Sequence, residues 1–381
     1  MKIVINTRLV IKGKMDGIGW FTWETMPVIA AMHPGHQFYF LFDRPYDTSF
    51  RFPPNVTPLV IRPVARHPAL IRFWNNFSVS QVIKRIKPDL YVSPDFFLPQ
   101  HLSCPGIVII HDLNFEHFPH FLPTPYRKLY HASVKHSARL ASRIITVSDF
   151  SRQDIIRHYD VPREKVDVVF CGVGSHIHPV SMEEILLSKQ RFGIDGDYMI
   201  VPGTIHPRKN TDGIIRAYQE FRKKAGCVEK LVFAGNNKWI SAEMKQALDQ
   251  NPFSKDIIFT GRVADQEMNA LINGATAMVF TSLFEGFGIP ILEAAAAGIP
   301  LLTSGNSSMK EIAGESALLV NPANHEEIAA GMQRITQDKQ LRADLVERSR
   351  ALPEKYSWDS TAQLVWESMA KVLGIVSDTN D

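Results

Sequence analysis

Glu285 and Glu293 flank a short run containing two glycines, Phe280-Thr-Ser-Leu-Phe-Glu285-Gly286-Phe287-Gly288-Ile289-Pro290-Ile-Leu-Glu293. The run reads as the end of a strand, a loop, and a helix with Pro290 in its first turn, where a missing amide hydrogen is harmless. Free backbone N–H groups at such a helix start, unshielded at Gly286 and Gly288, make an anion pocket suited to a diphosphate. Glu285 lies in the loop and Glu293 about one turn into the helix, so both can face that pocket. Carboxylates repel phosphate, so these two suit sugar hydroxyls better. A tight turn and a helix-capping Glu293 would also account for the pattern.

Other residues could carry chemistry. His111-Asp112 closes an apolar strand at its carboxyl end, where parallel sheets bind ligands, although a structural histidine fits as well. Asp16-Gly17-Ile18-Gly19-Trp20 precedes a helix and by itself reads as a turn. Asp195-Gly196-Asp197 has the spacing of a divalent-cation motif, but its composition and its place ahead of a strand make it a turn. Val201-Pro-Gly-Thr-Ile lacks the Gly-x4-Gly-Lys-Ser/Thr pattern of a phosphate loop, and no strand leads into G-x-G-x-x-G, which argues against a dinucleotide dehydrogenase.

These residues need a scaffold of alternating strands and helices. Strands are expected at Lys2–Asn6, Gln37–Asp43, Leu90–Ser93, Gly106–His111 and Ile144–Val147, with helices at Trp20–Met32, Val79–Lys87, Tyr126–Ala141 and Asp149–His158. The pattern loosens at Gly172–Pro179, where a linker is placed. It resumes with strands at Tyr198–Pro202, Leu231–Ala234, Ile257–Thr260, Ala277–Thr281 and Pro300–Thr303. The intervening helices are Thr211–Ala225, Ser241–Gln250, Asp265–Asn273 and Pro290–Ala297, and Asp359–Val372 is a last helix that needs a partner. Continuously apolar strands separated by helices predict parallel sheets covered on both faces. The fold class is therefore α/β, with two Rossmann-like units facing a ligand cleft. The expected division is 1–178, 179–355 and a terminal helical segment 356–381.

Composition narrows the class. The chain has 381 residues, 45% hydrophobic and 21% charged, which excludes a predominantly disordered protein. No apolar run approaches a membrane span, and the short first strand does not read as a signal peptide, so a cytoplasmic location is expected. Cys104, Cys171 and Cys227 are too few and too far apart for a disulfide framework or a zinc site. Residues 1–178 carry 21 Lys+Arg against 13 Asp+Glu, and the remainder carries 21 against 26. A basic first half attracts phosphates, anionic lipid or nucleic acid, or is a scattered solvated surface.

The stretch Glu285 to Ala294, with two glutamates eight positions apart, resembles the signature of the retaining glycosyltransferases of family 4, which have the GT-B fold. Gly261-Arg262-Val263, Leu301–Ser308, Ala317–Pro322 and Tyr356-Ser357-Trp358 resemble further family segments, so the likeness spans nearly the whole chain. It implies a C-terminal helix that crosses back to the first domain. It also implies that Gly286, Phe287, Gly288 and Ile289 give amides to the donor diphosphate, with Glu285 by the transferred sugar and Glu293 by the ribose. Lys209 matches the family's diphosphate-neutralising lysine, with Arg208 beside it. Thr204 stands where many members have Arg, and Met309-Lys310 departs from the common pattern. The same resemblance implies that Arg262 and Val263 would line the donor site, Gly17 and Gly19 would approach the phosphates, and His111 would lie near the transferred sugar. Asp112, Glu116 and His117 are acceptor-contact candidates.

The resemblance implies a metal-independent retaining hexosyltransferase without a resident cofactor, moving mannose, glucose or an N-acetylhexosamine from a nucleoside-diphosphate sugar, with GDP-mannose and UDP-glucose or its N-acetyl analogue as leading donors. The acceptor is expected to be a saccharide or lipid-linked saccharide of cell-surface polysaccharide synthesis. An epimerase or phosphorylase of the same fold, or a degenerate sugar-nucleotide-binding module, are the rivals. Arg62, Arg66, Arg72, Lys84, Arg85 and Lys87, with Phe73, Trp74 and Phe77, form a candidate surface for anionic membrane at its inner face. No nucleic-acid motif is present.

Overall fold

In the structure, a computed structural model describing residues 1–224, 226–236 and 240–375, the chain divides into two compact units. One is Met1–Cys171 together with the chain from Trp358 on; the other is Gly172–Ser357. The loop that begins at Gly172 thus belongs to the second unit, and the division falls ahead of it.

The first unit holds seven strands: β1 (Lys2–Asn6), β2 (Gln37–Phe42), β3 (Val56–Val60), β4 (Leu90–Ser93), β5 (Gly106–Ile109), β6 (Arg143–Thr146) and β7 (Val166–Val168). They form one parallel sheet in the order β3-β2-β1-β4-β5-β6-β7. The inner strands β4 and β5 are buried at every position, as continuously apolar strands must be. Both edge strands escape the sequence pattern: β7 has three residues, and β3 contains Pro58, which an edge tolerates because one side of the strand has no ladder to break. Strand order reverses between β1 and β4, so the loops after these two strands open side by side.

The helix Trp358–Leu373 belongs to this unit and packs on Gly17–Met32. Trp366 stacks on His33 at 3.6 Å between ring centroids. Asp167, just inside β7, accepts from Ser368 Oγ (2.7 Å), Lys371 Nζ (3.2 Å) and Arg143 Nε (2.6 Å). Those bonds fix the returning helix against the sheet edge.

The helix expected at Val79–Lys87 is the last part of a longer one from Pro68 to Ile86, in which Trp74–Val79 winds as a π-helix. This corrects one membrane candidate. Trp74 is fully buried, its Nε1 donating to the Ile61 carbonyl at 3.0 Å, because an indole with a polar tip can be buried once that tip is bonded. Arg62, Arg66, Arg72, Phe73, Phe77, Lys84, Arg85 and Lys87 are exposed as expected.

The second unit has six parallel strands: β8 (Tyr198–Pro202), β9 (Lys230–Ala234), β10 (Ile257–Gly261), β11 (Ala277–Phe280), β12 (Leu301–Ser304) and β13 (Leu318–Val320), ordered β10-β9-β8-β11-β12-β13. Again the order reverses beside the first strand, here between β8 and β11. The helix expected to run to Ala225 ends at Arg222, and Ala225 itself lies outside the described residues. Glycines sit at the carboxyl ends of three adjacent strands, Gly203, Gly235 and Gly261. A Cβ on Gly235 would lie 1.9 Å from the Gly203 carbonyl oxygen, so the two backbones meet where any side chain would part them.

Candidate functional site

The loops at the β8/β11 switch point meet through charge. After β8 the chain passes Gly203 and Thr204 and turns through a 3-10 helix, Pro207–Lys209, that presents two cations. After β11 it runs through Thr281–Gly288 and enters the helix Ile289–Ala297 with Pro290 in its first turn. Glu285 is 7% exposed and bridges the two loops, with Lys209 Nζ donating to Oε1 at 2.7 Å and Arg208 Nη1 to Oε2. The Arg208 guanidinium also donates to the Phe284 carbonyl (2.9 Å), and the Leu283 amide donates to the Arg208 carbonyl (2.8 Å). Lys209 Nζ lies 4.7 Å from the Phe280 ring centroid, a cation–π contact beneath the ion pair.

The electrostatics follow from this packing. Burial opposes ionisation of Glu285, but Arg208 and Lys209 outweigh it and hold its carboxyl at about 2. Burial also lowers the Lys209 ammonium, against the pull of Glu285. Glu293, one turn into the helix, has no such cation pair, and burial lifts it to about 7 against a weaker attraction from Lys209. Glu285 is thus a fixed anion at neutral pH, whereas Glu293 titrates there and can donate a hydrogen bond when protonated. The expected placement of Glu285 is refined: it sits between the cations, and Arg208 and Lys209 are already held by a carboxylate.

Three residues without an assigned role hold this arrangement. His206 caps the 3-10 turn, its Nδ1 accepting the Arg208 amide at 3.1 Å; burial and the neighbouring cations lower its imidazolium to about 4, so the ring is neutral. Asn210, buried in the left-handed region at φ 59°, donates to the carbonyls of Thr281 (3.1 Å) and Pro322 (2.7 Å). Gly213 permits this, since a Cβ there would lie 2.2 Å from the Asn210 side-chain oxygen. Buried Ser308 donates to the carbonyls of Glu285 (2.8 Å) and Phe287 (3.1 Å). A signal was available for the first two, as His206 and Asn210 bracket the cations just after a strand-ending glycine. Nothing in the sequence points from Ser308 to the Glu285 loop.

Gly288 takes φ 98° at the helix N-cap, where it has no side chain to spend on the first-turn amides. Phe287 is buried, its ring edge-on to Tyr356 at 5.7 Å between centroids, so only its backbone can serve a ligand. Thr204 is exposed beside the turn. Arg262 and Val263 follow β10, an edge strand three positions from β11, or roughly 14 Å across the sheet. They therefore stand on the flank of the Glu285 loop.

In the first unit the switch-point loops hold a second ion pair, between Arg8 after β1 and Asp95 after β4, both buried. Asp95 accepts from Ser93 Oγ (2.8 Å), and Arg8 donates to the Ala65 carbonyl (3.2 Å). His111 lies beyond β5, edge-on to Phe21 (5.1 Å) and Phe96 (5.8 Å). Its Nε2 faces the Pro94 carbonyl at 3.0 Å, which fixes the Nε2–H tautomer and leaves Nδ1 as the acceptor nitrogen. Burial lowers its pKa, so it is a neutral, oriented ring.

The glycine loop of this unit behaves differently from expectation. Gly17 is exposed, but Gly19 is buried, its amide donating to Asp16 Oδ1 at 3.2 Å, and a Cβ there would lie 2.7 Å from the Leu9 carbonyl oxygen. Gly19 is required for helix packing, and its amide is committed to the cap. The acceptor candidates brace their own loop. Asp112 Oδ1 accepts from the Asn114 amide (2.9 Å), Glu116 from His131 (2.8 Å) and Tyr159 (3.0 Å), and His117 pairs with Asp154 (2.8 Å).

The described residues thus form two parallel Rossmann-like units, the second with opposed charges at its switch point beside a glycine-led helix start. Residues 184–352 match the family described as "Glycosyl transferases group 1", and residues 16–175 match "Glycosyltransferase Family 4". O-antigen chain mannosyltransferase B of Escherichia coli is 30% identical over 280 residues, 73% of either chain. Anabaena Alr3699/HepE, solved with UDP and glucose, superposes with TM-score 0.74 at 19% identity, covering 97% of this chain and 99% of its own. WaaG, a glycosyltransferase involved in lipopolysaccharide biosynthesis, gives TM-score 0.74 at 16% identity over 99% of this chain and 100% of its own. The chain belongs to the group 1 glycosyltransferases and has the GT-B fold.

The ion triad sets two stability expectations. Glu285→Gln strands two cations and lowers the melting temperature at pH 7 by about 6–12 °C, corresponding to about 3 kcal/mol. Because the native carboxyl sits below its unfolded value, that difference is full above pH 4.5 and shrinks as pH falls toward 2. Glu293→Gln does the opposite. Wild type loses stability as pH rises from 4.5 through 7, so the variant is level with it below pH 4.5 and about 1–2 kcal/mol more stable above pH 7. Thermal melts across this range check both.

Proposed function

We propose that this chain is a retaining hexosyltransferase that moves a sugar, mannose foremost, from a nucleoside-diphosphate donor to a saccharide or lipid-linked saccharide. The process served is cell-surface polysaccharide synthesis. The observation that carries the reading is the buried Glu285 holding Arg208 and Lys209 beside the uncapped, glycine-led helix start. A departing nucleoside diphosphate gains negative charge and is stabilised by cations and dipoles already fixed in place. Glu285 keeps both cations aligned between turnovers, and the first-turn amides add their partial positive charge. Two fixed cations supply what a divalent ion would otherwise provide, so donor use is expected to be independent of metal. A protonated Glu293 suits a ribose hydroxyl as hydrogen-bond donor. In the first unit His111, neutral and oriented, suits a hydroxyl of the transferred sugar through Nδ1. Retention follows if the leaving phosphate takes the acceptor proton on the face it departs from. The HepE complex with UDP and glucose supports a nucleotide-sugar donor, and the O-antigen mannosyltransferase supports mannose and a polysaccharide product.

The proposal includes peripheral attachment to anionic membrane through the first unit. A pocket of about 750 Å³ lies between the helices Pro68–Phe73 and Thr124–Leu140, walled by Phe73, Phe77 and Leu129 and edged by Arg72, Lys128 and His136. Phe73 and Phe77 are 48% and 53% exposed, and their rings pack on each other at 5.0 Å. Exposed aromatics within a basic rim suit a headgroup and acyl boundary. No helix among the described residues is long and apolar enough to cross a membrane.

Thermal shift and calorimetry with UDP-, GDP- and ADP-sugars, with and without magnesium, test the donor site. One nucleotide is expected to stabilise wild type irrespective of magnesium, and Lys209→Ala to weaken it at least tenfold, about 1.4 kcal/mol. No response to any nucleotide by the folded protein overturns the donor reading. Flotation tests the membrane reading separately: vesicles containing phosphatidylglycerol should carry the protein up, and Phe73→Ser with Phe77→Ser should cut the floated fraction several-fold. Equal flotation with neutral vesicles overturns it.

A further inference from the structure

A second cluster of titratable side chains lies in the first unit, apart from the Glu285 loop and the His111 ring. His117 ends the one-turn helix Asn114–His117, and Asp154 and His158 stand four apart on the helix Asp149–Tyr159, hence on one face. One ligand atom from each falls within 4.8 Å of the others. His117 Nε2 is 2.8 Å from Asp154 Oδ2, and His158 Nδ1 is 3.1 Å from Asp154 Oδ1. The two imidazoles lie 5.0 Å apart, inclined by 70°, so their nitrogens converge on the carboxylate from different directions.

Asp154 is 6% exposed, and among the described residues its ion-pair partners are these two histidines alone, with no lysine or arginine. A carboxylate so enclosed needs a compensating positive charge. A cation held among the three supplies it. Metal–nitrogen and metal–oxygen bonds of about 2.0–2.2 Å place neighbouring tetrahedral donors about 3.3 Å apart. The two histidine–carboxylate separations, 2.8 and 3.1 Å, lie close to that value and all three donor atoms fall within 4.8 Å of one another, so small side-chain rotations suffice. His158 Nδ1 also faces its own helix's Asp154 carbonyl at 3.1 Å, a contact a bound ion would replace. Both histidines are about one-third exposed, which leaves a path for the ion and a fourth position for water.

We propose that His117, Asp154 and His158 form a binding site for one zinc-class divalent ion. Two imidazoles and one carboxylate select a borderline transition metal over magnesium or calcium, which take mainly oxygen ligands. The ion would join the one-turn helix just beyond His111 to the long helix Asp149–Tyr159, which starts at the N-cap Ser148. It is a staple of the first unit and takes no part in the donor chemistry. The spacing Asp154-x3-His158 was readable, but His117 lies 37 residues from Asp154 in sequence, and only the fold brings it near.

The test is calorimetric titration of the metal-stripped full chain with zinc chloride. Visible absorption with cobalt chloride reports the coordination geometry independently. One equivalent of zinc is expected, with the intense bands of tetrahedral cobalt and a rise in melting temperature of about 5 °C at hundredfold excess over Kd. Magnesium chloride should give none of these. His158→Gln and His117→Gln should each weaken zinc at least tenfold and remove the cobalt bands, while His131→Gln, outside the trio, leaves both unchanged. Glutamine keeps a polar side chain against Asp154, and far-UV circular dichroism checks that each variant is folded. Absence of stoichiometric zinc, or zinc affinity unaltered in the folded His158→Gln and His117→Gln variants, overturns the site.

Discussion

A carboxylate buried between two cations is the constraint on which the second unit depends. Glu285 leaves water only because Arg208 and Lys209 meet both of its oxygens, and they stay in place only because it does. Their loops follow neighbouring strands β8 and β11, so the pair also fixes how the two strand ends lie side by side. The supporting contacts serve that geometry. His206 closes the turn that carries the cations, Asn210 ties that turn to the opposite loop, and Ser308 holds the carbonyls on either side of Gly286. The result is a cluster with one more cation than anion, beside a helix start that is itself electropositive. That surplus is what the proposed donor diphosphate would meet.

The first unit uses the same physical device with a different charge balance. Its sheet also reverses order beside its first strand, and there too an ion pair joins the two loops that open at the reversal. Arg8 and Asp95 are matched one to one and are sunk among Asn6, Ser93 and the Ala65 carbonyl. No surplus charge is left, so this pair fixes loop position and offers nothing to a phosphate. The neutral His111 ring, pinned by the Pro94 carbonyl, is an oriented polar group at this end of the sheet. Equivalent topology thus yields surplus positive charge in one unit and a balanced pair beside an oriented polar ring in the other, because one carboxylate faces two cations in the first case and one in the second.

Surface chemistry follows helix geometry in the same way. The π-helical turn at Trp74–Val79 brings Trp74 inward while Phe73 and Phe77 face out, so aromatic residues adjacent in sequence have opposite fates. The basic excess of the first half is therefore not a uniform coat. Part of it, Arg72 and Lys128, borders an apolar pocket, and part of it, Arg8 and Arg143, is consumed in internal ion pairs.

The sequence by itself determined the class of fold and the make-up of the loop from Glu285 to Glu293. Inner strands of a parallel sheet are apolar on both faces, and that pattern is local, so β1, β4, β5, β8 and β11 were legible. Glycines, Pro290 and a glutamate pair at helix spacing are also local, which is why Glu285 to Glu293 could be recognised. Edge strands β3, β7 and β13 were not, being short, half-exposed or, in β3, holding a proline, whereas the edge strand β10 keeps the apolar run Ile257-Ile258-Phe259 and was legible. Only the tertiary structure decided which charges meet. Lys209 and Glu285 are 76 residues apart, Arg8 and Asp95 are 87 apart, and His117 and Asp154 are 37 apart. Sequence spacing carries no record of such pairings. They arise because strands distant in the chain lie about 5 Å apart in a parallel sheet, with their loops gathered at one end. Local contacts hold Gly19 and Asp112, whose partners Asp16 and Asn114 lie three and two residues away, whereas the fold brings Tyr159 to Glu116 and Asp154 to His117.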